Sequence, residues 1–176
     1  MARVAIFIDG MNARCRLEEK HWCEYYDVSH FGDTIAGPRE LVMIRFYIAT
    51  PNRQQLGEEE YSKQRSYLHQ IESQRDVQLI TGYMRQRIRW IEKRVDSAIA
   101  ADMVYFACRD YFDQAIIVSA DADLVPPIER TIELGKHVEL VVFRGARPRI
   151  YDLEQAASWT RRARPAYFRP YPVGLR

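Results

Sequence analysis

Two continuous apolar runs, Val4–Ile8 and Ala115–Val118, constrain the fold most, because each is rich in β-branched residues and each gives way to acids. A run with no polar alternation suits a strand covered on both faces, as in the middle of a parallel sheet. Leu41–Ala49, Val77–Ile80 and Val138–Phe143 are further strand candidates. Between them lie helical stretches. Asn12 to about Lys20 follows an Asp9-Gly10 turn. Glu58–Ser73 carries Tyr61, Leu68 and Ile71 on one stripe. Asp96 opens a helix to about Tyr111, with Ile99, Met103 and Phe106 spaced for burial. Pro126 and Pro127 suit a helix's first turn, and Gly135 suits its end. Strands alternating with helices predict an α/β fold around a mostly parallel sheet.

Other segments read less regularly. His21–Gly37 shows no clear period and is expected to be a loop or insertion. Met84–Lys93 alternates Arg85, Arg87, Arg89 and Lys93 with Gln86, Ile88 and Trp90, which predicts an extended ribbon with one basic face. The stretch from Thr160 to Arg176 mixes arginines with Tyr167, Phe168 and Tyr171, and its three prolines argue against regular structure. The expected organisation is one domain over 1–158, followed by a basic aromatic tail over 159–176.

At 176 residues and 47% hydrophobic composition the chain can build one substantial core. Its formal net charge is only +2, so affinity for a polyanion must come from local basic patches. The three cysteines, Cys15, Cys23 and Cys108, form no Cys-x-x-Cys pair and suit reduced thiols. The apolar start is too short for a signal peptide and no later stretch suits a bilayer span, so a cytoplasmic protein is expected, with no membrane partner. Cys15, His21, Cys23 and His30 lie close in sequence, but their spacing matches no common zinc module. Trp22, Tyr25 and Tyr26 read as exposed aromatics through which a homodimer could form.

The acids carry the chemistry. Asp9 follows the first apolar run, and Asp121 and Asp123 follow Ala115–Val118. Asp96 stands between the basic ribbon and a helix. Ligand sites of open parallel sheets form outside the carboxyl ends of the strands, so neighbouring strands would bring these four acids together. Clustered carboxylates raise one another's pKa, and a bound cation resolves the conflict. Oxygen-only ligands favour Mg²⁺ or Mn²⁺ over zinc. Taken singly, Asp96 and Asp123 read equally well as caps of the helices they precede. Asp102 lies six residues after Asp96, about 240° round a helix, and so off that residue's face.

Four blocks in order resemble a known family. They are Phe7-Ile8-Asp9-Gly10-Met11-Asn12, then Lys93-Arg94-Val95-Asp96 with Asp102, then Val118 to Pro126, and Gly135-Lys136-His137-Val138. Together they resemble the NYN domain family (LabA-like, DUF88), which is PIN-like. The resemblance implies a three-layer α/β/α fold and Mg²⁺- or Mn²⁺-dependent endoribonuclease activity; the leading expectation is an endoribonuclease that prefers single-stranded RNA. Asp9, Asp96 and Asp121 would be the central metal-binding acids, with Asp123 beside them. Asn12 would hold a water or phosphate, and Ser119 would hydrogen-bond within the acidic loop. The chain departs from the family at Ala120, Ala122 and Leu124, and at Arg94, where glycine is usual.

Lys93, Arg94, Arg85, Arg87 and Arg89 are the candidate substrate-binding residues, as a phosphate-tracking rim, with Trp90 or Tyr83 stacking on a base. Two other readings stand beside the nuclease. One is a non-catalytic RNA-binding or regulatory domain. The other is a haloacid dehalogenase-like phosphatase, suggested by Asp121-Ala122-Asp123 but lacking a fitting downstream lysine and acid pair.

Overall fold

The computed structural model describes residues 1–74, 76–86, 90–143 and 150–171. Arg87 and Arg89 of the expected basic ribbon, and Arg176 of the tail, lie outside the described residues. In chain order the elements are β1 (Arg3–Asp9), α1 (Gly10–Glu19), α2 (Val28–Ala36), β2 (Glu40–Thr50), α3 (Arg53–Leu56), α4 (Glu58–Glu72), β3 (Val77–Gln86), β4 (Trp90–Lys93), α5 (Val95–Cys108), β5 (Gln114–Val118), α6 (Val125–Glu133), β6 (His137–Val142), α7 (Tyr151–Ala156) and β7 (Trp159–Arg162). The strands form one sheet in the order β4-β3-β2-β1-β5-β6-β7. Only β4, paired to β3, runs antiparallel.

Alternation along the central strands divides the core into two layers. Val4, Ile6 and Ile8 face one side, where Leu17 of α1, Phe31 and Ile35 of α2, and Leu68 and Ile71 of α4 cover them. Ala5 and Phe7 face the other, under Val95, Ile99 and Met103 of α5, Ile128 of α6 and Leu153 of α7. This is the three-layer α/β/α fold that the family resemblance implies, built on the mostly parallel sheet that the alternation of runs and helices predicts. No helix among the described residues is long and apolar enough to cross a membrane.

Three stretches differ from the sequence expectation. First, His21–Gly37 is not all loop, because α2 occupies Val28–Ala36. The Asp27 carboxylate accepts the His30 N–H as a helix cap, Val28, Phe31 and Ile35 are buried at helical spacing, and Gly37 ends the helix at φ +60°. Second, β3 does not stop at Ile80 but runs on to Gln86 and folds back as the antiparallel β3–β4 ribbon. Gly82 is needed there, since a Cβ would stand 2.3 Å from the Lys93 carbonyl oxygen.

Third, the residues after 158 are not irregular throughout. β7 extends the sheet beside β6, and Phe168 is 8% exposed, stacked on Phe31 at 4.7 Å. The segment is then strapped to the start of α2: Asp27 N–H donates to Arg169 O and Tyr171 N–H to Tyr25 O, each at 2.9 Å. What makes an arginine-rich strand tolerable is Glu139, fully buried on β6, which pairs with both Arg39 and Arg161.

Candidate metal centre

The chain order reverses between β1 and β5. From β1 the sheet proceeds outward to β2 and β3, and from β5 it proceeds the other way. Loops leaving such neighbours diverge to opposite faces and open a crevice at the carboxyl edge, the common ligand position of this architecture. Asp9 ends β1, and Ser119 to Asp123 follow β5.

Asp9 is 4% exposed. Its Oδ1 accepts the Asn12 N–H at 3.0 Å, capping α1, which therefore starts at Gly10 with no intervening turn. A side chain at Gly10 would collide with Phe46, so glycine lets α1 begin this close to the sheet. The second oxygen, Oδ2, accepts the Ser119 hydroxyl at 2.9 Å. Ser119 Oγ in turn accepts the Asp121 N–H at 3.1 Å, and Asn12 Oδ1 accepts the Ala120 N–H at 3.1 Å. Ser119 thus links Asp9 to the acidic loop, while the Asn12 side-chain oxygen braces that loop. Asp121 Oδ1 accepts the Asp123 N–H at 3.0 Å, capping a short 3-10 turn at Ala122–Leu124.

The capping duties are therefore reversed from the single-residue expectation. Asp9 and Asp121 cap, whereas neither Asp96 nor Asp123 supplies a side-chain cap to α5 or α6. Asp96 sits in the first turn of α5 with its carboxylate uncommitted to the backbone, and Asp123 is exposed.

Burial dominates the electrostatics. It pushes the Asp9 carboxyl up to about 6, and repulsion from Asp96 and Asp121 adds to it against the pull of the Asn12 and Ser119 hydrogen bonds. Asp96 is raised as well, by desolvation and then by Asp121 and Asp123, with Lys93 opposing. These interactions join Asp9, Asp96, Asp121 and Asp123 into one field. They also reveal a member missed in the sequence. Glu92, on β4, accepts the Ala49 N–H and is pushed up to about 7 by burial, with Asp9 and Asp96 adding repulsion. Its signal was obscured because Met84–Lys93 reads as a basic strip; in a strand, Glu92 points away from Lys93.

Asp102 does not join the edge. Its Oδ2 takes the Tyr47 hydroxyl at 2.8 Å and Arg45 Nε–H at 3.1 Å, a strut between α5 and β2. Lys93 and Arg94 are exposed beside Asp96. Arg94 holds φ +77°, the left-handed region where glycine is free of strain, and its guanidinium lies over the Tyr83 ring at 5.2 Å. Arg85 is exposed on β3, and Tyr83 is 42% exposed. Trp22, Tyr25 and Tyr26 are not an exposed patch. Tyr26 is 2% exposed and the other two pack against the same core, because α2 and the 163–171 segment close over them.

Among the described residues, no three His, Cys, Asp or Glu side chains stand grouped to hold a metal ion, neither at the acidic edge nor in the Cys15–His30 group. The acidic edge has the donor chemistry that a hard divalent cation uses. It offers oxygen donors only, and Mg²⁺ takes one or two carboxylates while keeping several waters. Among the described residues no ion pair neutralises Asp9, Asp96, Asp121 or Asp123.

No curated protein matches the chain. A solved structure of a protein of unknown function from Vibrio parahaemolyticus RIMD 2210633 is similar at TM-score 0.71 and 21% identity, covering 95% of each chain, a likeness of fold. A Plasmodium falciparum nicotinic acid mononucleotide adenylyltransferase aligns at TM-score 0.37 and 8% identity, over 93% of this chain and 75% of that one, too distant to carry an argument. The profile of the NYN domain matches residues 3–160, nearly the whole sheet and every acid of the crevice. With a PIN-like sheet beneath those acids, the chain belongs to the NYN domain family.

Proposed function

We propose that this NYN domain is a metal-dependent ribonuclease, with Mg²⁺ or Mn²⁺ held by Asp9, Asp96 and Asp121 and with Asp123 beside them. The observation that carries the reading is Asp9, a buried carboxylate without a cationic partner among the described residues, fixed at the switch point of the sheet and facing further acids. Ionising such a group is costly unless positive charge arrives.

A bound divalent cation would supply charge neutralisation at the phosphate and a water of lowered pKa. The chain's own residues do the rest. Hydrogen bonds from Asn12 and Ser119 fix the Asp9 carboxylate, and the first turn of α5 presents Asp96 opposite the Asp121 loop. Glu92, a partly buried carboxylate on β4 within the field of Asp9 and Asp96, would take a proton from a water at the crevice. Lys93, Arg94 and Arg85, all exposed, would hold phosphates, and the half-exposed Tyr83 ring, with Arg94 over it, would stack on an unpaired base. That surface favours single strands.

The test is cleavage of single-stranded and structured RNA with Mn²⁺, comparing the wild type with Asp121→Asn and with added EDTA. Cleavage is expected only for the wild type with metal. A folded Asp121→Asn protein that cuts as fast as wild type would sink the mechanism. RNA shifted on a gel but never cut would leave an RNA-binding domain, and phosphate release from a chromogenic ester would indicate a phosphatase.

A further inference from the structure

A second feature opens on the same edge of the sheet. Where β7 ends, a cleft of about 750 Å³ is lined by Trp22, Arg161, Arg162, Arg164 and Tyr167, among others. Arg161 is committed to the fold, through Glu139 Oε1 at 2.5 Å and the Ile35 carbonyl at 3.0 Å. Arg162 and Arg164 are exposed, and among the described residues neither forms an ion pair. The Trp22 ring is pre-positioned by Phe143 and Phe168, with centroids 6.3 and 6.0 Å away. Two uncommitted arginines and two aromatic residues lining one cleft match a ligand carrying both phosphates and bare π faces. A duplex hides its base faces, and a simple anion has no use for the rings.

The register locates this cleft relative to Asp9. Ile8 pairs with Val118, Val118 with Val141 and Val141 with Arg161. One residue further on stand Asp9, at the end of β1, and Arg162, paired with Val142 at the end of β7. Asp9 and Arg162 are three strands apart, roughly 14 Å at ~4.8 Å per strand. Arg162, the partner of Val142, lies on the α5–α6 side of the sheet with Asp9, whereas Trp22 and Tyr167 pack against the other layer, so the cleft wraps round the end of β7. A strand held at the acids need span only that separation to reach the cleft.

We infer that the Trp22–Arg162–Arg164–Tyr167 cleft is a docking groove for single-stranded RNA flanking the bond at the acidic edge. This rests on RNA being the ligand, as proposed above, but not on cutting. The experiment is binding of a labelled oligouridine of about eight nucleotides, within the span of single-strand grooves, followed by anisotropy in EDTA across a salt series. Arg162→Ala/Arg164→Ala is expected to weaken binding about tenfold and to flatten the log–log salt slope by about 1.4, two contacts at ~0.7 each. Arg162→Lys/Arg164→Lys should keep most of that slope. RNA should quench tryptophan emission in the wild type, and less in Trp22→Phe.

Both substituted arginines are exposed, so the variants are expected to fold, which melting curves check. Unchanged affinity and slope in the folded double-alanine protein would overturn the groove. So would an equal loss of heparin binding with no tryptophan quenching by RNA, since that describes a general polyanion patch. If Asp121→Asn still cuts while the double variant binds weakly, the metal mechanism fails and the groove stands. If the double variant binds normally while cutting depends on Asp121, the groove fails and the metal mechanism stands.

Discussion

Replacing Asp9 with asparagine should stabilise the metal-free protein while removing the centre of its proposed site. Burial and neighbouring acids raise this carboxyl from its ordinary 3.8 to about 6. A raised folded-state pKa means that the folded protein holds the proton more tightly than the unfolded chain does. The group's contribution is therefore complete below the unfolded value and is lost as pH rises through about 6. A shift of about two units is worth about 3 kcal/mol at pH 7.5. The asparagine carries no charge, but it cannot accept both the Asn12 N–H and the Ser119 hydroxyl, which costs about 1 kcal/mol. The net expectation is about 2 kcal/mol of added stability at pH 7.5, a rise of roughly 4–8 °C in Tm for a domain of this size. The advantage should vanish near pH ~4.5, where little of the penalty remains. Urea denaturation in EDTA at several pH values measures this. Adding Mn²⁺ should then raise the wild-type Tm and leave the variant's unmoved. A variant less stable than wild type by the same margin at every pH would refute the reasoning.

Three further outcomes follow from the geometry. Arg94→Gly removes a left-handed backbone penalty of about 1–2 kcal/mol against the loss of a cation–π contact of about 0.5–1 kcal/mol. It should therefore raise Tm by a few degrees while weakening RNA binding, and a lowered Tm would contradict it. Asp102→Ala leaves Arg45 and the Tyr47 hydroxyl without their partner and is expected to cost about 2–4 kcal/mol in denaturant titration. Phe168→Ala empties the site between Phe31 and Phe143 and should cost about 3–5 kcal/mol, which an equilibrium melt would show. A cost near zero would mean that the segment after β7 is not part of the core.

How far the sequence discloses this molecule depends on what each segment buries. β1 and β5 are legible because both of their faces are covered, so the residues between Arg3 and Asp9 and those after Gln114 are all apolar. β7 reads as a charged tail because it is an edge strand, and the residue that neutralises Arg161 is Glu139, on another strand. α2 was hidden among aromatic residues whose burial comes from the distant Phe168, although Asp27 and the Val28–Phe31–Ile35 spacing were readable signals. At the site, four aspartates announce themselves by following strands or opening a helix. Glu92 does not, because only the fold-back of β4 turns it toward Asp9. The family's glycine preference at position 94 receives its physical reason in the +77° backbone angle there.

The two margins of the sheet have a consequence for how copies of this chain meet. Both are four-residue strands, β4 carrying Glu92 and Lys93 and β7 carrying Arg161 and Arg162. An unpaired strand margin invites another chain to zip onto it, and short, charged margins discourage that. Edge-to-edge joining at β7 would set guanidinium against guanidinium along the new seam. Crowded copies are thus steered away from continuous intermolecular sheets and the fibrous aggregates that grow from them.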